Sequence, residues 1–299
     1  CSPKKINIIE TSQEVDEDGS IETNFVNVDD ILPEKCGMVS PDVYAVSSDF
    51  KARVVSGFET EKGNYPWQAS IRVKSVSGKS THWCGAVIIS KYHVLTAGHC
   101  LRDYIKSYYY IRAGDFDTEL EEGTEQNIEV DDLWIHPNLD VGTRLNNDIA
   151  VVKVKDPGFV FNKWVAPACL PLKDKEIIEF MANTNCTISG WGSDGSPGTG
   201  FARTLRAAWL QIVPQERCKS EDVYGNNAIT EGMFCAGSLS GGTDSCQGDS
   251  GGPLICSKGD RFTLFGITSW GHGCGKMNSP GVYTKVNHYT NWIHNKLIQ

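Results

Sequence analysis

Apolar and polar positions alternate in short bursts along most of the chain. Trp67–Val73, Gly85–Ile89, Tyr108–Ala113, Ile149–Val154, Cys186–Gly190, Leu210–Val213, Gly252–Cys256, Thr263–Ser269 and Gly281–Val286 are brief runs rich in Val, Ile, Thr and aromatic residues. That composition suits a pleated, half-buried surface. Gly, Asn, Asp and Pro punctuate the runs, so the pattern predicts an all-β protein of antiparallel barrels or sandwiches. One stretch follows a helical period instead. Tyr289, Trp292, Ile293 and Leu297 share a face behind Asn287, a suitable N-cap, and predict a C-terminal helix that packs on the core. No internal repeat is visible.

Composition narrows this picture. With 299 residues, 40% of them apolar, the chain can bury a sizeable core. A formal charge of −9 argues against nucleic acid as a partner. No uninterrupted apolar run reaches the ~18 residues of a membrane span. Eleven cysteines without paired CxxC spacing point to disulfides and an oxidising compartment. The sequence begins at Cys1 with no leader, as expected of a processed form or a fragment. Residues 1–53 hold 11 acids against 5 bases, whereas residues 54–299 are close to neutral. Ile9–Asp30 is polar, acidic and without apparent pattern, which predicts a mobile linker. Two regions are therefore expected: an acidic linker or propeptide over 1–53 and a folded domain over 54–299. Lys51-Ala52-Arg53 offers a basic tip to a protease just ahead of Val54-Val55-Ser56-Gly57.

Three segments carry candidate chemistry: Leu95-Thr96-Ala97-Gly98-His99-Cys100, Asn147-Asp148-Ile149-Ala150-Val151, and Asp244-Ser245-Cys246-Gln247-Gly248-Asp249-Ser250-Gly251-Gly252-Pro253. A lone His or Asp is usually structural. Taken together, in the order His, Asp, Ser, the three resemble the trypsin/chymotrypsin family of serine proteases over about residues 54–299. The resemblance implies two antiparallel six-stranded β-barrels with the C-terminal helix. It also implies a catalytic triad of His99, Asp148 and Ser250. A serine hydroxyl is a poor nucleophile at neutral pH and needs a base within hydrogen-bond reach. In the family His99 would be that base and Asp148 would orient it. The amides of Gly248 and Ser250 would form the oxyanion hole, where side chains must not intrude.

The resemblance extends to activation and specificity. Cutting the Arg53–Val54 bond would free an α-ammonium to pair with Asp249 and order the site, making the uncut chain a zymogen. The usual Ile-Val-Gly-Gly is Val-Val-Ser-Gly here, which keeps the apolar start and departs at Ser56. Asp244 would be the floor of the primary pocket, with Gly271 and Gly281 as walls that leave room for Arg or Lys. Ser269-Trp270-Gly271 would pair with substrate as an added strand. The implied disulfides are Cys84–Cys100, Cys186–Cys256, Cys218–Cys235, Cys246–Cys274, and a tether Cys36–Cys169, with Cys1 left for an upstream partner. A narrower likeness, in Arg53–Glu61 and Trp83–His99, is to arthropod neurotrypsin-like mosaic proteases. Gly114–Gln126 resembles the calcium loop of trypsins, with Asp115, Glu122 and Glu125 and the carbonyls of Asp117 and Leu120 as a structural site; no cofactor is expected for catalysis. Asn185-Cys186-Thr187 is a glycosylation sequon around a cysteine.

These readings predict a secreted, regulated trypsin-like endopeptidase. Its partners would be protein substrates with Arg or Lys before the scissile bond, an upstream trypsin-like activating protease, and protein inhibitors. The rival is a catalytically silent homologue that binds partners, and such proteins typically lose the Ser or the His. The short pattern Gly248-Asp249-Ser250-Gly251-Gly252 also matches a serine-esterase elbow, but there Ser comes first in chain order.

Overall fold

The computed structural model of the chain describes residues 8–15, 21–27, 31–44, 57–75, 80–171, 185–193, 200–242, 248–258 and 261–299. Strands β1 (Ile8–Val15) and β2 (Ile21–Asn27) form an antiparallel hairpin, which corrects the expectation of an unpatterned linker over Ile9–Asp30. Acidity along this stretch masked a period of two, since Ile21, Thr23 and Phe25 alternate with Glu22 and Asn24. Residues 31–44 also belong to the folded body: Ile31, Leu32 and Val39 pack against the main core. Gly37 N–H donates to the Pro167 carbonyl at 2.7 Å, and the Cys36–Cys169 disulfide fastens the same point.

A two-residue strand, β3 (Phe58–Glu59), leads into the first barrel. This comprises β4 (Gln68–Lys74), β5 (Ser80–Ile88), β6 (His93–Thr96), β7 (Tyr109–Ala113), β8 (Gln126–Ile135) and β9 (Ala150–Val154). It closes in the order β4-β5-β6-β9-β8-β7 around Ile71, Ile88, Leu95, Ile111 and Val152, all fully buried. The second barrel comprises β10 (Asn185–Gly190), β11 (Arg206–Val213), β12 (Met233–Ala236), β13 (Pro253–Lys258), β14 (Arg261–Trp270) and β15 (Gly281–Lys285). Its order is β10-β13-β14-β15-β12-β11, closed by pairing of β10 with β11, with β3 added outside β11. Phe234 and Tyr283 stack at 5.7 Å in its core beside Leu210, Leu254 and Phe265.

The two barrels match the resemblance. β6, β8 and β12 lie outside the predicted runs. β6 and β12 are four residues each, and a register shift between Val130 and Asp132 interrupts the alternation of β8. The C-terminal helix spans Thr290–Leu297 and buries Ile293 and Leu297. It begins after Asn287, which instead lies in a 3-10 turn over Val286–Tyr289, so Asn287 is not its N-cap. Cys84–Cys100, Cys186–Cys256 and Cys218–Cys235 are bonded as expected. Cys274 is also in a disulfide, and its expected partner Cys246 lies outside the described residues. Among the described residues, no helix is long and apolar enough to cross a membrane.

Where the barrels meet, they meet backbone to backbone. A Cβ on Gly85 of β5 would come within 2.7 Å of the Gly252 Cα. Gly85 N–H donates to the Ser250 carbonyl at 2.8 Å, so the first barrel holds a turn of the second.

Candidate active site

His99 and Asp148 leave the same end of neighbouring strands. Thr96, the last residue of β6, pairs with Ala150, the first of β9. His99 follows in a 3-10 turn over Gly98–Leu101, and Asp148 precedes β9. The Asp148 carboxylate is fully buried and accepts three hydrogen bonds: from His99 N–H at 2.9 Å, from His99 Nδ1 at 2.8 Å and from the Ser269 hydroxyl at 2.5 Å. An ionised carboxylate can only accept, so the ring proton sits on Nδ1 and Nε2 is left with a free lone pair. Ser269 was predicted only for its backbone. A β-bulge in β14 between Thr268 and Trp270 is what turns its side chain toward Asp148.

Ser250 sits on a turn that only glycine permits. Gly248 and Gly251 have φ of +98° and +79°, where an L side chain is strained. Space is short as well. A Cβ on Gly251 would strike the Thr96 hydroxyl, and one on Gly248 would come 2.6 Å from the Phe201 ring. Gly251 N–H is tied to the Thr268 carbonyl at 2.8 Å and Gly252 N–H to that of Asp249 at 2.8 Å. Beside His99 Nε2 lies the Cys100 sulfur, 3.8 Å from that nitrogen and 3.8 Å from the Ser250 carbonyl. Bonded to Cys84, that sulfur is no metal ligand.

A second histidine, which the sequence reading passed over, braces the turn from the other side. His82 Nε2 lies 3.0 Å from the Gly248 carbonyl and Nδ1 lies 2.6 Å from the Ser70 hydroxyl. A carbonyl cannot donate, so His82 carries its proton on Nε2 and accepts from Ser70. Burial holds its pKa below the ordinary histidine value, against the pull of the Gly248 carbonyl. Asp249 points away from the cleft into a niche made by two glycines. Gly192 N–H donates to it at 2.9 Å, and a Cβ on Gly190 or Gly192 would collide with the carboxylate. Only the run Ser189-Gly190-Trp191-Gly192, two glycines closing a strand, could have signalled this. Gly271 and Gly281 are backbone neighbours: a Cβ on Gly271 would stand 3.9 Å from the Gly281 Cα. The Trp270 ring beside them meets Tyr224 edge-on at 4.9 Å. Asp244, Arg53 and Val54 lie outside the described residues.

A family model described as Trypsin matches residues 54–293. The chain belongs to the trypsin family of serine proteases. An ovochymase from Halocynthia roretzi is 37% identical over 273 residues, which is 91% of this chain and 16% of that protein. The chain therefore spans about a sixth of this relative's length.

The acidic loop over 114–126 brings three carboxylates together. Ligand oxygens of Asp115, Glu122 and Glu125 lie within 4.8 Å of one another. The Asp115 carboxylate is buried and pairs with Arg112 Nε at 2.9 Å and with Arg72 at 3.8 Å. Burial pushes Asp115 up to about 6 against the pull of Arg112. Asp117 turns its carboxylate away to Arg203 at 2.9 Å, leaving only its carbonyl for the loop. Three converging carboxylates are the oxygen-rich donor set a divalent cation takes, although Arg112 pairs with Asp115 and Glu125 and Lys62 with Glu122.

Proposed function

We propose that the chain is a secreted endopeptidase that cleaves after Arg or Lys, made as a zymogen and switched on by cutting Arg53–Val54. The observation that carries the reading is His99, with its tautomer fixed by a buried Asp148, beside the braced Gly248–Ser250 turn. In the mechanism, Nε2 of neutral His99 takes the Ser250 hydroxyl proton as Oγ attacks the substrate carbonyl. The imidazolium then gives that proton to the departing amine, and a water repeats the sequence to release the acid. Asp148 stabilises the imidazolium without being protonated. The Gly248 and Ser250 amides receive the oxyanion, each worth about 3 kcal/mol. Because the base must be neutral, a protonated His99 cannot start the reaction.

Asp244 at the pocket floor is the expected partner of the substrate cation, since a buried acid without a partner is costly. Gly271 and Gly281, with no side chains, would line the wall of that pocket without obstructing it. The niche of Gly190 and Gly192 supports Asp249 as the receiver of the Val54 α-ammonium. After the cut, Cys36–Cys169 would keep residues 31–44 attached. Disulfides throughout the fold support an extracellular site of action. An upstream trypsin-like protease is the proposed activator, a role that Arg53 would also allow the enzyme itself, and protein inhibitors are proposed as further partners. The deciding experiment compares reporter peptides ending in Arg, Lys or Phe before and after limited cutting at Arg53. Activity on Arg and Lys that appears only after the cut, and not with Ser250→Ala, supports the reading. Preference for Phe removes Asp244 from the pocket, and silence from a cut, folded chain favours the binding homologue.

A structural calcium in the acidic loop is part of the proposal, held by Asp115, Glu122 and Glu125 with the Asp117 and Leu120 carbonyls. It would replace part of the charge neutralisation that Arg112 now supplies. Calcium should raise the melting temperature by several degrees over chelator, and Glu125→Gln should abolish that difference. An unchanged melting temperature with and without calcium would refute it.

A further inference from the structure

The loop between β8 and Asp148 holds most of the unusual backbone in the molecule. Among the described residues, four that are not glycine have φ in the left-handed region. Three of them lie in this loop: Asp140 at +65°, Leu145 at +56° and Asn147 at +55°. Asp and Asn visit that region readily, because a short polar side chain can bond locally. Leu does not, and here it is buried as well. Some contact must therefore hold Leu145 where its own sterics would not. The Asp140 carboxylate supplies it: one oxygen accepts from Leu145 N–H at 2.6 Å. Its other oxygen accepts from the Arg102 guanidinium at 3.0 Å. Arg102 directly follows the 3-10 turn that carries His99. One carboxylate thus spans the two segments that present His99 and Asp148.

The two contacts differ in weight. Arg102 and Asp140 keep 47% and 42% of their side chains in water, where an ion pair contributes little. A short bond from a backbone N–H to an ionised oxygen is the stronger of the two. The rest of the loop closes around it. Asp140 N–H donates to the Asn146 carbonyl at 2.9 Å, and the Asn147 side-chain amide donates to the Asn138 carbonyl at 2.8 Å. Leu139 packs against the turn of His99, since a Cβ on Gly98 would stand 3.3 Å from its side chain. Letting Leu145 relax to an ordinary φ would redirect the chain three residues before Asp148. We propose that Asp140 is a positioning residue for the His99–Asp148 pair, acting through the backbone of Leu145. The inference rests on the protease reading above and adds a residue outside the triad. Thr284 still holds the Asp148 carbonyl at 2.7 Å and Tyr289 the Asn147 side chain at 3.0 Å. Losing Asp140 therefore misplaces the buried carboxylate without removing it.

The test uses the chain cut at Arg53 and a reporter amide ending in Arg. Active sites are counted by titration with a fluorophosphonate, so unfolded protein does not enter kcat. Asp140→Ala should lower kcat about tenfold and change KM by less than about twofold, the signature of a small misplacement. Asp140→Asn keeps an oxygen for Leu145 N–H without the charge and should lose only about threefold in kcat. That variant decides the matter if the alanine one does not fold. Arg102→Ala removes only the exposed ion pair and should cost at most about twofold. Three results overturn the inference alone: a lower melting temperature with kcat per titrated site unchanged, a change confined to KM, or an Arg102→Ala loss as large as that of Asp140→Ala. If the parent cuts no reporter, with either Arg or Phe before the bond, the protease reading falls and takes this inference with it.

Discussion

Two histidines flank the Gly248–Ser250 turn, and their partners make them opposites. His99 donates a hydrogen bond from Nδ1 to a buried carboxylate, so the base proposed at Nε2 would have a counter-charge ready for its cationic form. His82 accepts at Nδ1 from the Ser70 hydroxyl and spends its Nε2 proton on the Gly248 carbonyl. With no carboxylate behind it, and buried, its pKa moves down and it stays neutral. A histidine in a cleft becomes a base or a brace according to the group behind its second nitrogen.

Breaking the carboxylate side should have the largest effect. Asp148→Asn would let the amide donate to Nδ1 and move the ring proton to Nε2, so kcat should fall about ten-thousandfold with the fold intact. Steady-state kinetics and circular dichroism on one preparation would check this.

The second prediction concerns acid stability, where hydroxyl-backed histidines share a liability. His93 resembles His82: Ser90 Oγ lies 2.9 Å from its Nδ1, its buried Nε2 has no partner, and burial carries it down to about 4. Both pKa values are lower in the folded state, so the unfolded chain binds more protons below about 6.5 and stability falls with pH. For His93 that loss runs from about 6.5 to about 4 and reaches about 3 kcal/mol. Urea unfolding across that range should show His93→Gln with a flatter profile than the parent.

The smallest effect should come from the brace. His82→Ala frees the Gly248 carbonyl and should lower kcat about tenfold while leaving KM nearly unchanged, since substrate binding in the ground state does not depend on the oxyanion donors. His82→Gln, whose amide can donate to the same carbonyl, should restore part of the rate. A fall in KM-dependent terms only would assign His82 to substrate binding instead.

The readable parts of this molecule were those written locally. The segments around His99, Asp148 and Ser250 are contiguous, and the runs that became β4, β7, β9 and β14 show strand composition within a few residues. What was not legible depends on contacts far apart in sequence. His82 is an unremarkable strand residue until Gly248 arrives 166 positions later. Ser269 gains its side-chain role only through a bulge. The hairpin of β1 and β2 is hidden in the sequence by the acidic residues that share its strands with the alternating apolar ones.

The central claim, that His99 and not His82 activates Ser250, is tested most directly with a fluorophosphonate probe on the chain cut at Arg53, followed by peptide mass spectrometry. The expected result is a single adduct on Ser250, abolished by His99→Ala and only slowed by His82→Ala. An adduct elsewhere, or equal loss in the two variants, would contradict the account.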